Sequence, residues 1–151
     1  CSDREASAHA AASATLELFA SKLQPGSWFA VRRESDATSH ALLSVVSELC
    51  DAGTDSCAVV IVFNGSGIGA EAALASALSS AAERQAPSIG SVIRAACLSH
   101  LPTTPLLGES SAVLCKSTLI VALPPSAAAA VAAAAALLPM LPRATEQLGS
   151  S

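Results

Sequence analysis

An unbroken run of β-branched and aromatic residues, Val59–Phe63, constrains the fold of this chain more than any other stretch. Because no polar residue alternates with the apolar ones, the run is typical of a strand covered on both faces, as in a parallel sheet flanked by helices. A Gly- and Ser-rich turn follows at residues 64–67, and an alanine-rich segment then extends to residue 84. The sequence therefore predicts a strand, a tight loop and a helix.

The loop after this strand consists of Asn64, Gly65, Ser66 and Gly67. Glycine lets the backbone turn sharply, and the loop N–H groups are expected near the positive end of the following helix, where a phosphate or carboxylate binds favourably. The loop lacks the lysine of the Gly-Lys-Ser/Thr phosphate loop and the glycine spacing of dinucleotide sites. The pattern is compatible with an anion-binding loop and with a simple turn.

The composition indicates a folded α/β domain rather than a nucleic-acid-binding or disordered chain. A length of 151 residues corresponds to one domain that can bury a substantial core. The hydrophobic fraction is 52%, much of it alanine, while aromatic residues reach only 3%, so helices are expected to pack closely through small side chains. The net charge of −4 and the absence of a basic patch argue against nucleic acid as a partner.

The cysteines and histidines do not form a recognisable metal motif. There is no Cys-x-x-Cys pair and no histidine at ligand spacing, so we expect reduced, buried or partly buried thiols and no zinc site. The histidines are interpreted as surface residues. The cysteines are Cys1, Cys50, Cys57, Cys97 and Cys115, and the histidines are His9, His40 and His100.

Nothing in the sequence predicts a membrane or secretory protein. The apolar segment 127–140 is too short to span a bilayer and Pro139 interrupts it, so a packed helix is expected. The amino terminus lacks a basic-then-apolar secretory pattern, and we expect a cytoplasmic protein. Residues 1–151 are expected to form one domain, with excision from a longer chain as one explanation of the start at Cys1.

Hydrophobic spacing predicts the other elements. Helices are expected at residues 15–23, 37–50, 70–84, 91–98 and 127–138, with a restart after residue 139, and strands at 28–33, 59–63, 112–114 and 118–123. Residues 5–14 and 99–109 are expected to be loops, and Asp36 and Ser126 are candidate N-caps. This order predicts an α/β fold, a three-layer α/β/α sandwich with a mostly parallel central sheet, and ligands at the carboxyl ends of its strands.

Several segments occur in the order and spacing of one known family. They are Ser2-Asp3, Leu49-Cys50-Asp51, Asn64-Gly65-Ser66-Gly67, Arg84-Gln85-Ala86-Pro87, Thr104-Pro105-Leu106, and segments 118–126 and 137–144. The chain thereby resembles the molybdopterin-binding family, which includes MogA, MoaB and the G domain of gephyrin. The resemblance runs nearly end to end and is most specific in the carboxyl-terminal third and the central loop.

The resemblance implies a trimeric α/β protein of molybdenum cofactor biosynthesis. Adenylyltransferases of the family join the dithiolene phosphate of molybdopterin to AMP from Mg-ATP. Carried over, the resemblance implies a homotrimer, with a fused or docked molybdenum cofactor synthesis domain as a candidate partner. The residues that it places at the molybdopterin and phosphate site are Ser2, Asp3, Asn64, Gly65, Ser66, Gly67, Ser110, Ser111, Pro124 and Ser126.

The sequence departs from the family pattern where chemistry is expected. Asn64 replaces the first of two glycines, and Pro125 replaces a glycine, which removes one N–H donor. Ala72 and Ser76 stand where the family has an aspartate and a glutamate. Because adenylyl transfer needs carboxylate oxygens to hold Mg²⁺, the obvious metal ligands are lost.

Glu71 and Asp3 remain as candidates for catalysis and for holding Mg²⁺. Glu71 can replace the lost aspartate only if the loop shifts, because one residue along a helix is a rotation of about 100°. Otherwise it is a solvated acid favoured at a helix N-terminus. Asp3 is either a pocket residue or a loop acid, and Lys116 either reaches a phosphate or is an exposed lysine beside a strand.

Three functional hypotheses follow. The first is an active molybdopterin adenylyltransferase that uses Mg-ATP. The second is a pterin-binding or trimeric scaffold domain in which transfer is weak or lost. The third is a generic nucleotide-binding α/β domain, and trimer formation separates the first two from it.

Overall fold

The computed structural model describes residues 3–28, 30–36, 38–51, 57–63, 68–100, 112–124 and 126–149. In these ranges, six helices surround one four-stranded sheet. The helices are α1 (Asp3–Lys22), α2 (Ser39–Asp51), α3 (Ile68–Ala81), α4 (Pro87–Cys97), α5 (Ala127–Leu137) and α6 (Leu141–Gly149). The strands are β1 (Val59–Phe63), β2 (Arg84–Gln85), β3 (Ala112–Cys115) and β4 (Thr118–Leu123).

The sheet has the strand order β1-β4-β3-β2. β1 pairs with β4 in parallel, with Val59 opposite Leu119 and Phe63 opposite Leu123. β3 is antiparallel to both β4 and β2. The predicted α/β class is confirmed, but only one of the three described pairings is parallel, so the mostly parallel sheet is not confirmed.

β4 is buried on both faces and separates two hydrophobic cores. Leu119, Val121 and Leu123 pack in the core formed with α1, α4, α5 and α6. Ile120 and Ala122 lie in the second core, formed with α2 and α3. Successive side chains of a strand point to opposite faces of the sheet. Because helices cover both faces here, both sets of side chains in β4 are apolar and no polar alternation is present. The described elements therefore form the three layers that the sequence predicts.

α5 packs closely against α1 and α4 through small side chains. Four of its alanines are fully buried, and α1 presents the equally buried Ala11. Fully buried alanines leave no room for a longer side chain, since protein interiors are close-packed. The residues are Ala129, Ala130, Ala133 and Ala134.

Ala133→Leu should lower the free energy of unfolding by about 1–3 kcal/mol, because extra methylene groups in a packed core force side chains and backbone to shift. Ala20→Leu is the matched control, because it makes the same change at an exposed position of α1. It should change stability by less than about 0.5 kcal/mol. Urea unfolding of both variants measures the difference, and equal losses would contradict the close packing of α5.

Two expectations about the amino-terminal region were wrong. Residues 5–14 were expected to be a loop, but α1 extends from Asp3. Alanine has the highest helix propensity, and Ala11 packs in the core although no large apolar residue precedes Leu16 in α1. Residues 28–33 were expected to form a strand, yet the described residues among them form none; Trp28 instead packs edge-on against Phe19, with ring centroids 6.3 Å apart.

Several element boundaries also differ from the prediction. α2 begins at Ser39, and Thr38 rather than Asp36 caps it: the backbone N–H of Ala41 donates to Thr38 Oγ1 at 3.2 Å. α4 begins at Pro87, one of the residues expected to break the chain, because proline is favoured in the first turn of a helix. β2 was not predicted, since two residues carry no periodicity.

No single helix in the described ranges has both the length and the apolar character of a membrane span. α5 and residues 141–148 of α6 reach this length and apolar character only when they are taken together, and the angle between the two helices is 63°.

Candidate functional site

The parallel pair β1 and β4 ends at one edge of the sheet, where Phe63 lies opposite Leu123. A helix follows each strand after a few residues: α3 begins at Ile68 and α5 at Ala127. We call this region the β1/β4 edge. The positive ends of two helix dipoles lie there, at the carboxyl ends of the strands, which is where α/β sheets bind anionic ligands.

Pro124 and Ser126 are the two predicted site residues whose positions the structure describes fully. Pro124 is buried directly after β4. Ser126 is half-buried at the N-cap of α5, with φ −74° and ψ 124°, and its side chain makes no capping hydrogen bond. Its carbonyl accepts a hydrogen bond from the N–H of Ala130 at 2.8 Å. Because Ser126 does not cap the helix, the first N–H groups of α5 receive no bond from this hydroxyl.

The other predicted site residues lie outside the described residues or have undescribed side chains. Asp3 begins α1 and Glu71 lies in the first turn of α3, but neither side chain is described. The residues outside the described ranges are Ser2, Asn64, Gly65, Ser66, Gly67, Ser110, Ser111 and Pro125. Their roles, and those of Asp3 and Glu71 in catalysis and metal binding, stay predictions.

The two positions that lack the family's acids lie on the solvent side of α3. Ala72 and Ser76 are both exposed and are one helical turn apart, whereas Leu74 and Leu78 are buried. Neither side chain offers a carboxylate. Since both positions face solvent, acidic side chains can be introduced there without disturbing the core.

Lys116 lies at the opposite end of the strands, in the turn between β3 and β4. Its ammonium group pairs with Asp51, and its backbone N–H donates to Glu83 Oε2 at 3.1 Å. At about 3.3 Å per residue, β4 places this turn about 17 Å from the β1/β4 edge. The interpretation of Lys116 as an exposed lysine beside a strand is confirmed, and the ammonium group lies away from the β1/β4 edge.

An open groove of about 490 Å³ runs along α5. Its lining is almost entirely apolar and includes Ala14 of α1 and His100 after α4. A phosphate needs several N–H or cationic donors, which this lining does not supply. The groove is therefore a poor phosphate site, although Ala127 at its end adjoins the β1/β4 edge. Its remaining lining residues are Ala128, Val131, Ala132 and Ala135.

The histidines and cysteines have the environments that the sequence predicts. His9, His40 and His100 are exposed, and the four described cysteines are free thiols, buried or partly buried. Burial raises the pKa of the Cys97 thiol. Among the described side chains, no group of three or more His, Cys, Asp or Glu residues has an arrangement suited to a metal ion.

One cluster was missed by sequence reasoning. Cys50, Cys57 and Cys115 come together beside the second core, although their spacing in the sequence gives no sign of it. Cys50 lies in α2, Cys57 lies two residues before β1, and Cys115 is the last residue of β3. They come together where the end of α2 meets the residues before β1 and the β3–β4 hairpin.

Three solved structures share the architecture of this chain. MoaB, a molybdopterin biosynthesis enzyme from Thermus thermophilus, superposes with a TM-score of 0.69 at 21% identity, covering 93% of this chain and 85% of that one. A molybdopterin biosynthesis protein from Mycobacterium abscessus gives 0.69 at 24% identity, with coverages of 93% and 85%. This chain has the MoaB/MogA fold. MogA itself gives 0.60 at 19% identity, with coverages of 87% and 87%.

The MoaB/MogA fold extends over most of the chain, as the motif resemblance predicts. No protein-family model and no curated protein sequence matches the chain. At such low identity the shared feature is the backbone architecture, and the chemistry of the site has to be argued from this chain's own residues.

Proposed function

We propose that this chain binds molybdopterin at the β1/β4 edge and acts in molybdenum cofactor biosynthesis. The observation that carries the proposal is the MoaB/MogA fold, found over 93% of the chain in a structure described as a molybdopterin biosynthesis enzyme. The motifs that suggested the same family from the sequence support it independently, because they were read from residue types rather than from backbone geometry.

The chemistry of the edge suits the phosphate of molybdopterin. Two helices begin there, and a Gly- and Ser-rich sequence, residues 64–67, precedes one of them. N–H groups at helix N-termini bind phosphate without a cationic side chain. We assign the phosphate to the backbone of residues 65–67, with the Ser66 hydroxyl as a further donor, and the wall of the pocket to Pro124 and Ser126. We also assign three serines to the site, and this part of the assignment rests only on the resemblance. They are Ser2, Ser110 and Ser111.

A comparison of molybdopterin with its dephosphorylated form tests this assignment. If helix N-termini bind the phosphate, the phosphorylated ligand should bind at least about tenfold more tightly, a difference of about 1.4 kcal/mol. Fluorescence titration of the pterin with the full chain measures both affinities. Equal affinities would contradict the phosphate site, and no binding of either ligand would contradict the proposed function as a whole.

Adenylyl transfer from Mg-ATP is the reaction that the resemblance supports. In this reaction a phosphate oxygen of molybdopterin attacks the α-phosphorus of ATP, and pyrophosphate leaves. Carboxylate oxygens of the chain would hold Mg²⁺, which would neutralise the charge that develops in this reaction. Ala72 and Ser76 supply none, so we assign metal binding and catalysis to Glu71 and Asp3.

The alternative is a pterin-binding domain in which transfer is weak, serving as a homotrimeric scaffold. The loss of the acids at Ala72 and Ser76 favours it. The alanine-rich surface of α5 supports the expected trimer, because small exposed side chains permit close contact between copies. We also propose that the protein is cytoplasmic. Its proposed partner is a fused or docked domain of molybdenum cofactor biosynthesis.

Ala72→Asp combined with Ser76→Glu should raise the rate of adenylylated pterin formation at least about tenfold, because it restores carboxylates for Mg²⁺ on one face of α3. Both sites are exposed, so stability should change by less than about 0.5 kcal/mol. Chromatography of the pterin product after incubation with Mg-ATP measures the rate.

Ala75→Asp combined with Ser79→Glu is the matched control for this experiment. These exposed residues lie on the same helix at the same spacing, and the substitutions add the same charge. The control should leave the rate unchanged. Equal gains in both variants would point to a general charge effect, and no gain in the first would show that these two losses alone do not disable the site.

A further inference from the structure

Three chain segments that carry cysteines are joined by hydrogen bonds near the amino ends of β1 and β4. The backbone N–H of Cys57 donates to the carbonyl of Leu49 at 3.0 Å. The hydroxyl of Thr118 donates to the carbonyl of Cys57 at 2.7 Å. These bonds hold the end of α2, Cys57 and the start of β4 against one another.

Cys50 and Cys115 are aligned by a contact between their neighbours. Asp51, the last residue of α2, pairs with Lys116, which directly follows Cys115 at the end of β3. Cys50 is a member of the second core, and Cys115 packs against the same core. Two cysteines in one cluster can form a disulfide where rotation of their side chains brings the sulfur atoms together.

The two thiols differ in their exposure to solvent. Cys50 is 5% exposed, whereas Cys115 is partly exposed at the edge of the same core. Burial, together with the nearby Cys115, raises the pKa of the Cys50 thiol to about 11, so Cys50 is protonated at neutral pH. A dissolved reagent therefore reaches Cys115 first.

We propose that Cys50 and Cys115 form a reversible thiol–disulfide exchange site for small disulfides such as glutathione disulfide. The Cys115 thiolate attacks one sulfur of the reagent, which forms a mixed disulfide and releases one glutathione thiolate. The Cys50 thiol loses its proton to solvent, and its sulfur attacks Cys115 Sγ, which displaces the second glutathione thiolate. The protein loses two hydrogen atoms, and one glutathione disulfide becomes two glutathione molecules.

The exchange site lies away from the β1/β4 edge. β1 and β4 are parallel, so their amino ends, where the cysteines lie, are at the opposite side of the sheet from Phe63 and Leu123. The disulfide connects α2 to the β3–β4 hairpin and is independent of pterin binding. It closes a long loop of the chain, and cross-links of this kind reduce the entropy of the unfolded state.

Peptide mapping of the full chain tests the proposal. The protein is incubated with glutathione disulfide, its remaining thiols are alkylated, and the digest is analysed by mass spectrometry without reduction. We expect one cross-linked product that joins Cys50 and Cys115. A stable glutathione adduct on Cys115, a cross-link through Cys57 instead, or unreacted Cys50 and Cys115 would each overturn the proposal.

Two variants and a thermal measurement complete the test. Cys115→Ser should abolish the cross-link, whereas Cys97→Ser should leave it intact, because Cys97 lies in the other core. In the wild-type protein, cross-linking should raise Tm by about 5–10 °C, and dithiothreitol should reverse the increase. A cross-link that lowers Tm would overturn the proposed native geometry.

The pH dependence of the second step, in which Cys50 attacks the mixed disulfide at Cys115, is a further test. Burial is the largest cause of the raised pKa of Cys50 and does not depend on the Cys115 thiol, so the thiolate fraction of Cys50 rises with pH in the mixed disulfide as well. Release of the second glutathione should therefore accelerate as the pH rises from about 7 to about 9. A rate that does not change with pH would contradict the role of Cys50 as the attacking group.

Discussion

Leu119→Ala is expected to lower the free energy of unfolding by about 2–5 kcal/mol, the range for removing a buried leucine side chain. Leu119 is fully buried in β4, opposite Val59 on one side and Leu114 on the other. Its side chain fills the core between the sheet and α5, where the neighbouring alanines are too small to collapse into the cavity. Urea unfolding measures the loss.

Leu98→Ala is the matched control, because it makes the same chemical change at a residue that is 58% exposed at the end of α4. It should change the free energy of unfolding by less than about 0.5 kcal/mol. Similar losses in the two variants would contradict the central position of β4 and with it the three-layer arrangement.

Ser66→Asp is expected to weaken molybdopterin binding at least about a hundredfold, which corresponds to about 2.7 kcal/mol. The substitution places a carboxylate where we assign the ligand phosphate, and like charges about 4 Å apart near a protein surface repel each other by about 4 kcal/mol. A fixed negative charge also occupies the N–H groups at the start of α3. Fluorescence titration of the pterin measures the change.

Ser117→Asp is the control for this substitution. Ser117 is exposed in the β3–β4 turn, about 17 Å from the β1/β4 edge by the length of β4. Screening at physiological ionic strength is nearly complete over twice the Debye length. The affinity should therefore stay within about twofold of wild type. A hundredfold loss of affinity in the control, or no loss in Ser66→Asp, would contradict the assignment of the phosphate to residues 65–67.

The elements with the clearest apolar patterns were predictable from the sequence. β1 and β4 are uninterrupted runs of β-branched and aliphatic residues, and both were predicted with their observed bounds. Their lack of polar alternation also predicts helices on both faces, which the two cores confirm. The same pattern favoured a mostly parallel sheet, but the lack of alternation reflects burial on both faces rather than strand direction, and β3 forms antiparallel pairs.

The rest of the fold depends on contacts that no local pattern shows. The first half of α1 is helical through alanine propensity and through Ala11 packing on α5, whereas its sequence has no large apolar stripe. The chain around Trp28 has strand-like residues, but no neighbouring strand pairs with it among the described residues. Segment 30–36 instead lies at the surface, where Arg32 contacts His9.

The candidate site was predictable in its place on the fold more than in its chemistry. The glycine loop after β1 and the Pro-Pro-Ser segment after β4 both pointed to the carboxyl ends of the strands, and Phe63 and Leu123 are neighbours there. Ser126 lies at the predicted N-cap, yet its hydroxyl does not cap α5. The thiol pair of Cys50 and Cys115 was invisible in the sequence, because it forms only when α2 meets the β3–β4 hairpin.

Calorimetric titration of the full chain with molybdopterin, with and without Mg-ATP, tests the proposed function most directly. We expect one ligand per chain, with an affinity that falls at least about a hundredfold in Ser66→Asp and is retained in Ser117→Asp. Adenylylated pterin in the mixture would show that the chain transfers AMP and would make Glu71 and Asp3 the first residues to mutate, and binding without product would make the chain a pterin-binding scaffold. Absence of binding under both conditions would contradict the central claim.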